Sequence, residues 1–180
     1  MKMMKYLADF LTGSRLLIAI ILGWLGWTSG LDVWLIATFL VIYAWTSDVL
    51  DGALARRSKV EISTWIGNHD LYFDMAVATG MLTFLTAWGS VNLSLSIIYI
   101  LSWILIFTRF GVIASLGKLF QAPIYGWFIF TTLRTDPMLG GLILIFLLIM
   151  VVVTWPRFPN DTIPGFLTGF KKEIKSPHKP

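Results

Sequence analysis

Asp48-Val49-Leu50-Asp51-Gly52-Ala53-Leu54-Ala55-Arg56 and, further on, Asp70-Leu71-Tyr72-Phe73-Asp74 hold four of the ten carboxylates in this 180-residue chain. The members of the first pair are three residues apart and those of the second are four apart. Each pair therefore shares one helical face. Each also adjoins a long apolar run. Four acids facing one another at a membrane surface repel unless a cation lies between them, and hard divalent cations prefer oxygen ligands of this kind. The expectation is a metal site at the inner ends of two membrane helices.

The rest of the chain supports the membrane. It is 57% hydrophobic and 13% charged, with mean hydropathy +0.77, far more apolar than a soluble domain. The long apolar runs predict an all-α, polytopic membrane protein with six transmembrane helices. They fall roughly at residues 16–27, 33–47 (continuing through Ala55), 71–88, 93–107 (extending to Ser115), 124–133 and 138–155. The fifth is the shortest, because residues 117–123 interrupt the pattern and Pro123 and Gly126 break the run. Residues 1–15 are mixed in polarity and suit an N-terminal interfacial helix. The first apolar run is long enough to span, so it does not read as a cleaved signal peptide. The organisation expected is a membrane domain over 1–155 and a basic, Pro-rich cytoplasmic tail over 156–180. With no cysteine, thiolate metal sites and disulfides are excluded. Glycines 23, 26, 80, 140 and 141 suit close helix packing.

Six spans place both termini on one side. Thirteen of the fourteen Lys and Arg residues then share that side, and only Arg134 lies opposite. The positive-inside rule makes the crowded side cytoplasmic, and the carboxylates lie there too. Lys171, Lys172 and Lys175 suit contact with anionic lipid. No nucleic-acid partner is expected.

The order Asp48-x2-Asp51-Gly52-x2-Ala55-Arg56, then Asp70-x3-Asp74, resembles the signature of the CDP-alcohol phosphatidyltransferases. That signature reads Asp-x2-Asp-Gly-x2-Ala-Arg, eight or nine residues, Gly-x3-Asp-x3-Asp. The first half matches throughout. In the second half the glycine position falls on Ile66, with Gly67 beside it. Upstream, Asp9-Phe10-Leu11-Thr12-Gly13-Ser14-Arg15 is similar to the family's Asn-x-Leu-Thr-x2-Arg, with Asp in place of Asn.

The resemblance implies a phospholipid-synthesis enzyme that transfers a phosphatidyl group from CDP-diacylglycerol to an alcohol and releases CMP. It implies Mg²⁺ or Mn²⁺ held by Asp48, Asp51, Asp70 and Asp74, with Asp74 as the catalytic base. The CDP-lipid would be bound by Thr12, Arg15, Asp48, Gly52, Ala55 and Arg56. Physical chemistry agrees in part. Divalent metal neutralises phosphate charge, Gly52 lets a nucleotide approach the helix backbone, and Arg56 suits a phosphate. Arg109 and Lys118 are the acceptor-binding candidates. Arg109 is weakly similar to an Arg in phosphatidylglycerophosphate synthases, although Phe110 follows it here instead of Glu. The Gly-Lys-x-Lys-Thr element of those enzymes is replaced by Pro123-Ile124-Tyr125-Gly126-Trp127. A phosphorylated acceptor such as glycerol 3-phosphate fits two cations. Family resemblance also implies a homodimer. His69 beside Asp70 reads as a loop histidine more than a ligand. The competing functions are a membrane cation transporter and an inactive relative retained as an assembly partner.

Overall fold

The computed structural model describes residues 2–58 and 64–155, and among these the chain is helical without strands. Its elements are α1 Lys2–Leu25, α2 Leu31–Ser58, α3 Trp65–Asn68, α4 Asp70–Ala87, α5 Leu93–Phe110, α6 Ala114–Thr135 and α7 Pro137–Val153. Among the described residues, three stretches are long and apolar enough to cross a membrane: Tyr6–Leu25, Asp32–Ala53 and Leu93–Phe110. Pro137–Val153 is apolar over a shorter length. Residues 156–180, expected from the sequence to form a basic tail, and residues 59–63 lie outside the described residues.

Local chemistry sets the helix ends. The Asn92 side chain accepts from the Ser94 amide to start α5, and Asp136 accepts from the amides of Met138 and Leu139 to start α7. Pro137 occupies the first turn of α7, where its missing N–H costs nothing. Gly111 ends α5 at φ 80°, a conformation that an L side chain resists.

Three sequence expectations change here. No separate interfacial helix forms at the N-terminus, because α1 runs unbroken from Lys2 to Leu25. The interruption expected at 117–123 is also absent, and α6 continues through Pro123. A proline removes one backbone hydrogen bond, but neighbouring helices hold the segment helical, as in many membrane helices. Gly117, which read as a breaker, instead lies buried against Leu71 of α4. The fourth expected span, α5, is correspondingly shorter than expected, ending at Phe110 instead of Ser115.

α1 packs along both α2 and α4, α4 packs on α6, and α6 on α7. Leu22, Ala37, Val41, Ala78, Met81 and Phe128 form the centre of this core. Trp34 is 1% exposed and meets Phe84 edge-on at 5.0 Å and Trp88 at 5.6 Å, a favoured aromatic geometry. α5 is peripheral, burying only Ser96 and Trp103. Large apolar side chains such as Leu17, Ile20, Trp24, Ile98, Leu105 and Leu148 are exposed. Such a surface is a liability in water and ordinary in a bilayer.

The α1–α4 contact depends on Gly80. A Cβ there would lie 2.8 Å from the Ala19 Cα and carbonyl carbon, and backbone cannot step aside as a side chain can. Gly26 and Gly140 are similarly tight, whereas Gly23 has room at 3.7 Å and Gly141 has open space around it. Of the five glycines expected at close contacts, three therefore need to be glycine for packing. Gly80→Ala should cost about 1–3 kcal/mol through overpacking. Gly141→Ala should cost nothing measurable. Thermal melting of both variants in detergent checks the pair.

Candidate active site

Helix periodicity builds the site from three elements. On α1, Asp9, Thr12 and Arg15 recur every three residues and so lie along one side. On α2, Asp48 and Asp51 lie about 26 and 30 Å from the helix start at 1.5 Å per residue. That distance is the thickness of the hydrocarbon layer. Asp70 opens α4 and Asp74 follows one turn later. Because α1 packs on both α2 and α4, its polar side meets both acid pairs.

Arg15 is the centre of the cluster. It is 1% exposed and its guanidinium touches all four acids. One terminal nitrogen donates to Asp48 Oδ1 at 3.2 Å and to Asp74; the other donates to Asp51 Oδ2 at 2.5 Å and to Asp70. Thr12 Oγ1 donates to Asp51 Oδ2 at 2.8 Å and accepts from Arg15 at 3.2 Å. The planar fork of arginine suits this bridging, which lysine would not reproduce. Arg15 Nε is buried with no partner among the described residues.

The acids form a gradient of access. The Asp51 side chain is 7% exposed, Asp74 22%, Asp70 40% and Asp48 50%. Asp51 with Thr12 and Arg15 is the closed floor, and Asp48 and Asp70 are the open rim. Asp48, Asp70 and Asp74 each offer an oxygen within 4.8 Å of the others. With all groups ionised, four carboxylates against one guanidinium leave an excess of three negative charges. An oxygen-only donor set with surplus charge fits a hard divalent cation.

The remaining sequence candidates divide. Gly52 follows Asp51 on α2 and is half-buried. The backbones of Ala55 and Arg56 continue α2, but their side chains lie outside the described residues. Lys118, exposed near the start of α6, is within electrostatic range of Asp48. Arg109 is exposed in the last turn of α5, its guanidinium 5.7 Å from the Phe110 ring, with no ion pair among the described residues. The structure thus brings Lys118 toward the acids and does not join Arg109 to them.

His69 bonds through Nδ1 to the Trp65 carbonyl at 2.7 Å and stacks on the Trp65 ring at 4.6 Å. It is a loop-side histidine, apart from the carboxylate group. The displaced glycine also has an account. Thr64 caps α3, accepting from the Gly67 amide at 3.2 Å, and donates to Asp9 Oδ1 at 2.8 Å. Asp9 thereby ties α1 to the turn that delivers Asp70. The acid pairs meet with glycine at 67 instead of 66.

Sequence reasoning missed a polar pair on α6, the helix that packs on α4. Gln121 is buried on α6 and accepts from the Tyr125 hydroxyl at 3.2 Å. A buried amide in an apolar membrane helix is itself a signal.

The family model described as CDP-alcohol phosphatidyltransferase matches residues 5–164, and the chain belongs to that family. Its members are transferases of phosphorus-containing groups in phospholipid synthesis and are in general divalent-metal dependent. No curated protein and no solved structure matches the chain.

Proposed function

We propose that this member of the family transfers the phosphatidyl group of CDP-diacylglycerol to an alcohol and releases CMP. The observation that carries the reading is the convergence of Asp48, Asp51, Asp70 and Asp74 on one partly open site. A divalent cation, Mg²⁺ or Mn²⁺, held by these four aspartates would neutralise the two phosphates and polarise the bond to be broken. Asp74 accepts the proton of the acceptor hydroxyl. The acceptor oxygen then bonds to the lipid-side phosphorus, the bond from that phosphorus to the bridging oxygen breaks, and CMP carries the bridging oxygen away.

The other residues orient. Thr12 and Arg15 hold Asp51 in place, and Arg15 reaches Asp48, Asp70 and Asp74 from beneath. Gly52, Ala55 and Arg56 extend the nucleotide side along α2. Lys118 meets phosphate at the rim, while Arg109 serves a phosphorylated acceptor only from a greater distance. The fold carrying this chemistry is six membrane helices, α1, α2 and α4–α7, over a domain spanning 1–155. Both termini, the basic tail and the acid cluster face the cytoplasm. Resemblance to the family supports a homodimer.

The test is CMP release by purified protein given CDP-diacylglycerol, Mg²⁺ or Mn²⁺, and glycerol 3-phosphate, inositol 1-phosphate or serine. Metal-dependent release with one of these alcohols is the expected result. Protein that binds CDP-lipid and releases no CMP with any alcohol would be an inactive relative. Ion flux into vesicles without CDP-lipid turnover would replace the reading with transport.

A further inference from the structure

Gln121 and Tyr125 lie one turn apart on α6, among the buried apolar residues Phe120, Ile124 and Phe128. Burying Gln121 costs more than burying Leu in its place, and Tyr125 beside it is half-buried. The hydrogen bond between them lies within a single helix, so it joins no two elements and does little for the fold.

Their position points to the acid cluster. Gly117, one turn before Gln121, abuts Leu71, the residue after Asp70. Further along, Phe128 meets Phe84 at 6.1 Å, so α4 and α6 run in the same direction. Helical side chains lean toward the N-terminus of their helix, here the end at which α6 meets Asp70 and Asp74. The Tyr125 ring meets Trp45 edge-on at 5.4 Å, and Trp45 stands one turn before Asp48 on α2. The Tyr125 hydroxyl is within electrostatic range of both Asp74 and Asp48.

The pair also has capacity to spare. Tyr125 donates its only proton to Gln121 Oε1; its phenolic oxygen also takes a hydrogen bond from the Trp45 side chain, which leaves one lone pair to accept another. The amide nitrogen of Gln121 makes no hydrogen bond among the described residues and is not fully enclosed, so its two N–H groups can donate. One acceptor beside one donor complements a hydroxyl group, which both gives and takes a hydrogen bond.

We infer that Gln121 and Tyr125 bind a hydroxyl of the acceptor other than the one that reacts, and so select a polyhydroxylated alcohol. This rests on the phosphatidyl-transfer reading above. A site built to bond a hydroxyl rejects the analogue lacking it, because its own polar groups are then left unpaired.

The experiment compares wild type with Tyr125→Phe and Gln121→Met in CMP release from CDP-diacylglycerol. The acceptors are glycerol 3-phosphate, inositol 1-phosphate, serine, and 3-hydroxypropyl phosphate, which lacks the secondary hydroxyl of glycerol 3-phosphate. Wild type should turn over a polyhydroxylated acceptor and discriminate against 3-hydroxypropyl phosphate. Each variant should raise the KM for the preferred acceptor about tenfold and lose that discrimination. The KM for CDP-diacylglycerol and the melting temperature without acceptor should stay as in wild type. Thermal stabilisation of wild type by the preferred acceptor alone, weakened in both variants, would support the same assignment without turnover.

Unchanged acceptor KM and retained discrimination in both variants would overturn the inference alone. So would wild-type turnover of serine with no polyhydroxylated acceptor used, or a rise in both KM values together with a lowered melting temperature. A wild type silent with every alcohol would remove the phosphatidyl-transfer reading, and the inference with it.

Discussion

Protein carrying Asp74→Asn is expected to release CMP about 10²- to 10⁴-fold more slowly than wild type, the usual contribution of a positioned general base. Asparagine keeps the volume of the side chain, and its carbonyl can still accept from Arg15. It cannot take a proton from an attacking hydroxyl. The loss should therefore fall on turnover, with the KM for CDP-diacylglycerol little changed. Asp74 also belongs to the group of oxygens that fits a cation, and a metal titration separates the two roles. Excess Mg²⁺ should restore activity if the variant only binds metal weakly, and should fail to restore it if the proton acceptor is gone. A variant within about threefold of wild type at saturating metal would remove Asp74 from the base role.

Arg15→Met should be the most damaging single change to the fold. Removing one partner of a buried ion pair costs about 3–5 kcal/mol, because the other charge stays buried and uncompensated. Here the stranded partner is Asp51, 7% exposed, while the other three acids still reach solvent. The apparent melting temperature in detergent should fall by about 10 °C. Arg15→Lys should fall between, since an ammonium keeps the charge but cannot span four carboxylates. Added Mg²⁺ should stabilise the Met variant more than wild type, because a ligand that binds only the folded state stabilises it by mass action. Equal melting of wild type and the Met variant would mean that the four acids do not depend on the guanidinium.

Arg15 also marks how far sequence reasoning reached. Its Leu-Thr-x2-Arg setting suggested a role in binding CDP-lipid, and simple membrane logic counted it among thirteen cytoplasmic cations. Neither reading foresaw that its buried guanidinium meets all four acids. The same limit explains Lys118 and Arg109. Both are lone cations in apolar surroundings, and no local pattern distinguishes the one near Asp48 from the one resting on Phe110. Pro123 was misread for a related reason. Proline propensity is a property of the residue, whereas the continuity of α6 is supported by the helices packed on it.

The helices, their apolar character and the pairing of Asp48 with Asp51 and Asp70 with Asp74 were determined by the sequence itself. Each acid pair is a spacing of three or four residues within one helix, so helix geometry alone puts its members on one face. Only the tertiary structure decided that the two pairs share one guanidinium, that Asp9 anchors the turn before Asp70, and that the helix carrying Gln121 and Tyr125 packs on α4. Arg15 and Asp74 are 59 residues apart in the chain. Their meeting depends on which faces of α1, α2 and α4 pack together, and close backbone contacts such as Gly80 on Ala19 set those faces.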